Sequence, residues 1–270
     1  MPVRGPVNWR PEWIRPLGVI QRLGPATPAR WGVFGSFDGD FTGLATRSFT
    51  ELDALAHAIR DRVEGAALLR LAGIDYVVTL DPGVFGGLLP EVARADSVYA
   101  SPVFLLSVPN TFPRFFVVDG VLPVDEVDAV NTLVAGQFDP AREVLLSGPV
   151  GASSARPGFQ GSARLISRRA DSLSLEADLD DPGVLVVLEG YHSGWRATVD
   201  GRPSPVLRAN ALFRGVPVPA GHHRIEMAFR PPSALWGGAL SLLSLMGALA
   251  LWAREARKRP APLPPPVAPN

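Results

Sequence analysis

The sequence predicts an α+β unit, then an all-β sandwich of jelly-roll type, then one C-terminal transmembrane helix. Three observations carry this. Residues 48–148 mix helical and strand periodicities, whereas residues 161–232 hold only short apolar or alternating runs between turn dipeptides. Ser233–Ala253 is a run of 21 residues without a charge, followed at once by Arg254, Arg257, Lys258 and Arg259. As a helix that run reaches roughly 31 Å, close to the hydrocarbon thickness of a bilayer.

Residues 1–47 are rich in Pro, Gly and Trp and read as an irregular N-terminal segment. Thr50-Glu51-Leu52-Asp53 has the spacing of a capping box, and Leu52, Leu55, Ala56, Ile59 and Val63 recur on one helical face. A second helix, Ala66–Ala72, stops at Gly73. Ile74–Leu80 reads as a buried strand closed by Asp81-Pro82-Gly83, and Val103–Val108 and Arg114–Val118 as further strands. Val124–Val134 has a helical apolar face through Val127, Val130, Leu133 and Val134, and Val144–Leu146 returns as a strand. This is the small α+β domain, 48–148.

The Gly/Ser/Pro/Ala stretch Gly148–Gly161 reads as a linker. In the sandwich, 161–232, Leu173, Leu175, Ala177 and Leu179 alternate with polar residues, and Val184–Leu188 is continuously apolar. Trp195–Val199 enters the Asp200-Gly201 turn, Val206-Leu207 and Leu212–Val216 follow, and Ile225, Met227 and Phe229 alternate up to Pro231-Pro232. About seven short strands between Gly-containing turns argue for a sandwich.

The span itself, 233–253, contains seven leucines, each favouring insertion by roughly 0.3–0.6 kcal/mol. A buried core helix is the other reading, but such helices keep a polar face. Gly237, Ser241, Ser244 and Ala248 fall on one face, where small residues let a neighbouring helix approach closely. Small residues are also common in spans generally. Basic residues flanking a span stay on the cytoplasmic side. The basic, Pro-rich tail, 254–270, is therefore expected in the cytoplasm and residues 1–232 outside it.

Composition removes several chemistries. The chain has no cysteine, so disulfides, thiolate metal sites and a cysteine nucleophile are excluded. The formal net charge is zero and no basic stripe marks a nucleic-acid surface. Met1–Ile20 carries Arg4, Arg10, Glu12 and Arg15 with no apolar core of a signal peptide. Export of 1–232 then calls for membrane spans upstream of this chain; a tail anchor with a cytoplasmic domain would break the positive-inside pattern.

The motifs that could carry chemistry are few. Tyr191, His192 and Trp195 could form a sugar-facing platform, because aromatic rings stack on the apolar faces of sugars; the favoured reading is that Trp195 fills the core and Ser193-Gly194 turns the chain. Asp38 and Asp40 flank Gly39 and could hold a hydrated cation, but two carboxylates fall short of a calcium loop and a solvated turn is preferred. His222 and His223 are adjacent on a strand and point to opposite faces, which disfavours a shared metal. His57 lies off the apolar helix face and reads as a surface residue. Neither a Gly-x-Ser-x-Gly elbow nor a phosphate-loop Lys-Ser/Thr occurs. A paired-carboxylate hydrolase stays open, since sequence separation does not fix distance. No catalytic residue, metal or cofactor is assigned.

One series is more specific than its periodicity. Gly190-Tyr191-His192-Ser193-Gly194-Trp195-Arg196-Ala197-Thr198-Val199-Asp200-Gly201 is followed by Asn210-Ala211-Leu212-Phe213-Arg214-Gly215-Val216 and then by Val218-Pro219-Ala220-Gly221-His222-His223. Phe229-Arg230-Pro231-Pro232 closes it before the span. With Leu68–Thr79 and Pro113–Val118, this order resembles the C-terminal end of the YfhO-like family of bacterial multi-span membrane proteins, over roughly residues 31–253. The resemblance implies a part in envelope glycan assembly. The family is similar to GT-C-type glycosyltransferases, which take sugar from a polyprenyl-phosphate donor on the extracytoplasmic side. Their catalytic acid lies in a loop between early spans, a loop not expected in this chain. The implied partners are the lipid bilayer, other transmembrane helices, and a polyprenyl-linked sugar or envelope glycan. The alternative is a single-span envelope protein whose sandwich binds glycan or a protein partner without catalysis.

Overall fold

The computed structural model describes residues 63–96 and 102–258, with Thr50 alone before them. The irregular segment 1–47 with Asp38 and Asp40, the helix expected over Leu52–Ile59 with His57, and the tail from Arg259 onward lie outside the described residues.

The fold is mostly β, in three sheets, with short helices and one long apolar C-terminal helix. Its elements, in chain order, are α1 (Val63–Leu71), β1 (Tyr76–Thr79), β2 (Glu91–Ala95), β3 (Val103–Ser107), β4 (Phe115–Val118), β5 (Gly120–Pro123), α2 (Ala129–Ala135) and β6 (Glu143–Ser147). Then come β7 (Gly161–Arg168), β8 (Ser172–Leu179), β9 (Gly183–Val187), β10 (Trp195–Val199), β11 (Arg202–Ser204), β12 (Leu207–Ala209), β13 (Phe213–Val218), β14 (Gly221–Phe229) and α3 (Pro232–Lys258).

The sandwich consists of a five-stranded sheet, β11-β10-β14-β8-β7, facing a six-stranded sheet, β4-β9-β13-β12-β6-β5. All neighbours pair antiparallel except β5 and β6, which run parallel. The two patterns seen in the sequence now have distinct causes. In β8 the apolar Leu173, Leu175, Ala177 and Leu179 point inward and join Ile225 and Met227 of β14 in the core between the sheets. The continuous run in β9 belongs to a strand covered on both faces. Leu185 and Val187 enter that inter-sheet core, whereas Val184 and Val186 enter a second core beneath α1 and α2. The six-stranded sheet is thus the middle layer of three.

The helix α1 serves two cores. Leu68, Leu71 and Ala72 pack under the middle sheet, while Ala66 and Leu69 pack with Phe85, Leu89, Phe104 and Leu106 against the small sheet β1-β3-β2. Gly73 ends the helix with φ +65°, and a β-carbon there would lie 2.8 Å from Leu188 Cδ1, so the turn needs both the left-handed backbone and the missing side chain.

Three expectations are corrected. Ile74–Leu80 is not a buried strand: only Tyr76–Thr79 is extended, at the edge of the small sheet, and Tyr76 is 58% exposed. The helix expected from Val124 starts at Ala129, because the Val124 N–H donates to the Leu146 carbonyl (3.0 Å) and is drawn toward β6. Val127 consequently lies outside the helix and is exposed. The linker at 148–161 does not separate two sheets. Strands β4, β5 and β6 precede it, yet they pair in one sheet with β9 and β12, which follow it. The stretch is itself tied down: Ser153 bridges Val121, its hydroxyl donates to the Asp119 carbonyl (2.7 Å), and the Arg156 N–H donates to Asp119 Oδ2 (2.8 Å).

The β12–β13 connection is held by one side chain. Asn210 is fully buried with φ +45°, and Ala211 follows at +65°. The Asn210 N–H donates to the Leu145 carbonyl (2.9 Å), and its Oδ1 accepts from the Leu145 N–H (3.0 Å). The side chain thereby continues the β12–β6 ladder where the backbone turns away. Asn210→Ala strands the Leu145 N–H and replaces a residue that tolerates positive φ with one that does so less readily; a loss of about 2–3 kcal/mol is expected, read as a lowered denaturation midpoint.

Candidate functional site

The residues of interest gather where the sandwich meets α3. The hairpin turn after β7, the start of β10 and the end of β14 are stitched together here. The Phe229 N–H donates to the Asp171 carbonyl (2.8 Å) and the Arg230 N–H to the Gly194 carbonyl (2.7 Å). Phe229 then forms an aromatic junction, with Trp195 at 5.5 Å and His192 edge-on at 5.2 Å between ring centroids. Gly194 makes the packing possible, since a β-carbon would lie 2.8 Å from Phe229 Cε2. Three residues after Phe229, α3 begins.

Beside this junction lies an open pocket of about 420 Å³ lined by Arg168, Arg169, Ala170, Leu173, Glu189, Trp195 and Arg214. Arg214 is the one buried charge among them, only 5% exposed. Its Nε donates to the Gly190 carbonyl (2.9 Å), its Nη2 lies 3.5 Å from Glu189 Oε2, and its guanidinium sits 3.7 Å from the centroid of the Trp195 ring. Burial lowers its pKa to about 10, against the attraction of Glu189 and with the help of Arg168. It therefore stays charged at neutral pH. Arg168 Nη2 lies 3.1 Å from Glu189 Oε1, close enough for an ion pair but not directed as a hydrogen bond. Glu189 Oε1 and Arg214 Nη1 are buried with no hydrogen-bond partner among the described residues. The same field acts on Arg114, whose pKa is lowered mainly by burial, raised by Glu189 and lowered by Arg168.

Of the three residues expected to form a platform, Trp195 and His192 meet on Phe229, and Tyr191 lies elsewhere. Trp195 lines the pocket and packs partly against the inter-sheet core, so it takes part in both. His192 is exposed and turned onto Phe229, its Nδ1 accepting from the Gly194 N–H (2.9 Å). Tyr191 lies under Arg208 (4.9 Å to the ring), which pairs with Glu126 (2.7 Å) ahead of α2. Sequence reasoning did not single out Arg168, Glu189 or Arg214. The available signal was a charge inside or against an apolar strand: Arg214 within Phe213–Val218, and Glu189 directly after Val184–Leu188.

At the other end of β10 and β14, His223 Nδ1 donates to Asp200 Oδ2 (2.7 Å) and its Nε2 to the Ala220 carbonyl (3.0 Å). Both ring nitrogens donate, which suits the imidazolium rather than a metal ligand.

The helix α3 has 27 residues, and none of the stretch Trp236–Arg254 is buried among the described residues. That stretch is long and apolar enough to cross a membrane. Trp236 and Trp252, both largely exposed, stand sixteen residues apart, roughly 24 Å along the axis, as interfacial anchors do. Of the small residues, Gly237, Ser241, Ser244 and Ala248 all lie on exposed helix surface, and the Ser244 hydroxyl donates to the Leu240 carbonyl (2.9 Å). This keeps the hydroxyl satisfied within the helix, as an apolar surrounding demands.

A β-sandwich whose last strand leads straight into an exposed apolar helix of spanning length fits a membrane-associated class of protein. Within it, residues 161–241 match the model of the family described as bacterial membrane protein YfhO, the family the motifs resemble. The match runs from β7 to the first turns of α3, so it includes Arg168, Glu189, Trp195 and Arg214. No curated protein and no solved structure matches the chain. The family and the helix together support a membrane location.

Two outcomes are expected. Trp195→Ala removes a half-buried indole and the face on which Arg214 rests; about 2–4 kcal/mol of stability should be lost, measured by chemical denaturation. For His223 and Asp200, the histidine pKa is raised above 6.5, first by its hydrogen bond to Asp200, and the aspartate pKa is lowered below 3.8, first by its hydrogen bond to His223. The contribution of the pair is thus complete between pH 3.8 and 6.5. It fades as pH rises through the raised histidine value and as pH falls through the lowered aspartate value. His223→Asn should flatten both flanks of a melting temperature versus pH curve.

Proposed function

We propose that this chain is the extracytoplasmic C-terminal module of a YfhO-like membrane protein. It supports the transfer of sugar from a polyprenyl-phosphate donor to envelope glycan by positioning lipid-linked sugar or acceptor near the bilayer, without carrying the catalytic acid itself. One observation carries the reading: the pocket with Trp195, Glu189 and Arg214 lies at the end of the sandwich from which α3 departs. Two residues, Arg230 and Pro231, and about one helical turn separate Phe229 from Trp236, which puts the pocket within about 15–20 Å of the interface that Trp236 marks. The family match supports the same class.

In this reading α3 is a span with Arg254, Arg257, Lys258 and Arg259 on the cytoplasmic side, and residues 1–232 lie outside. Its face of Gly237, Ser241, Ser244 and Ala248 packs against other transmembrane helices of a multi-span protein. A reporter fused after Asn270 should be active only as a cytoplasmic enzyme; activity of a periplasm-type reporter there would overturn the topology. Replacing Glu189 by Gln in the cell should reduce envelope glycan incorporation while the protein remains in the membrane fraction. Unchanged glycan would count against the supporting role.

A further inference from the structure

The residues that line the pocket carry more positive than negative charge. Three arginines line it, Arg168, Arg169 and Arg214, against one carboxylate, Glu189. Glu189 shares its two oxygens between Arg168 and Arg214. That leaves the lining cationic by two charges. Arg214 is held in place on three sides, by the Gly190 carbonyl, by Glu189 and by the indole of Trp195. Its fourth direction, Nη1, is a buried donor with no hydrogen-bond partner among the described residues. An unmade bond from a buried guanidinium costs more than one from a neutral group. A buried, fixed arginine with two more exposed arginines at the rim is an arrangement that suits a doubly or singly charged oxyanion.

From this we infer that the pocket binds a phosphate oxyanion, a phosphomonoester or phosphodiester. Arg214 and Arg168 contact its oxygens from within, and Arg169 closes over it from the exposed hairpin turn. Glu189 does not touch the anion. It orients the two guanidinium groups and keeps Arg168 from swinging into solvent. The phosphate can come from a lipid headgroup or from a free phosphorylated compound, and the two share this recognition chemistry. A lipid source rests on the membrane placement proposed above; a free source does not.

The test uses the full chain in maltoside micelles, which contain no phosphorus. Two probes are titrated at constant ionic strength: inorganic phosphate, and dodecyl phosphate mixed into the micelles. Thermal midpoint and calorimetric affinity are the readouts. Phosphate should raise the midpoint where chloride does not. Arg169→Gln, a change at a solvent-facing side chain, should weaken binding by about tenfold with an unchanged midpoint in the absence of ligand. Arg168→Gln should weaken binding by a similar factor, and because it also removes a partner of Glu189 its unliganded midpoint is measured alongside. Arg224→Gln, on β14 away from the pocket, should bind as the parent chain does. Tighter binding of dodecyl phosphate than of inorganic phosphate, lost in the same variants, identifies a lipid source. Equal affinities identify a free one. If neither probe binds, or if both pocket variants bind as tightly as the parent, the inference is overturned. If phosphate binds but the pocket variants leave envelope glycan unchanged in the cell, the anion site stands and the proposed function falls.

Discussion

A sheet that is apolar on both faces has to be covered twice, and this requirement organises everything else in the chain. The six-stranded layer presents Leu185, Val187, Val216 and Val218 to one side and Val184, Val186, Leu146 and Ala209 to the other. Left open on either face it would expose a continuous apolar surface to water. The five-stranded sheet closes one side and can afford polar residues on its outer face. The short helices α1 and α2 close the other, and α1 reaches on to the small three-stranded sheet. Even the tight turn at Asn210 follows from it, because a backbone buried in the middle layer must keep every N–H and C=O engaged.

The same constraint makes the polar exceptions informative. Arg214 lies on β13, in the middle of that doubly covered layer, where a leucine would bury more simply. A charge there is retained only with a carboxylate, a carbonyl and an aromatic face to hold it. Those partners converge at the end of the sandwich nearest α3. Among the described residues, the helix in turn carries its large apolar side chains outward, with a tryptophan near each end. Sandwich and helix obey opposite rules: one hides its apolar residues, and the other displays them, as a helix long and apolar enough to cross a membrane does.

Much of this architecture could be read from residue order. The alternation in β8 and β14, the unbroken apolar run in β9 and the uncharged run of α3 each have a period or length that only one environment explains. What could not be read was which strands share a sheet. Val144–Leu146 looks like any buried strand, and nothing local reveals that β12, more than sixty residues later, pairs with it. The Gly/Ser/Pro stretch at 148–161 has the composition of a linker, yet Asp119 and Val121 fasten it to the sheet through backbone and side-chain bonds that no spacing rule announces. The pocket was half legible. Trp195 stood out because it is large and lies in a conspicuous aromatic cluster. Arg214 and Glu189 did not, because single charges beside apolar runs are usually strand ends, and only the fold shows that these two face each other.

The strand order also sets a schedule. In the middle layer, β9, β13 and β12 lie between β4 and β6. A chain made from its N-terminus therefore releases β4, β5 and β6 well before the strands that fill the gap between them. Until residues 183–218 arrive, the early strands keep open edges and uncovered apolar faces. The outer sheet waits longer still, since β14 occupies its centre and is the last strand before α3. Folding of the whole sandwich is thus postponed until synthesis has reached the threshold of α3, and a chain that stalls before that point is left with the makings of a sheet and no means of closing it.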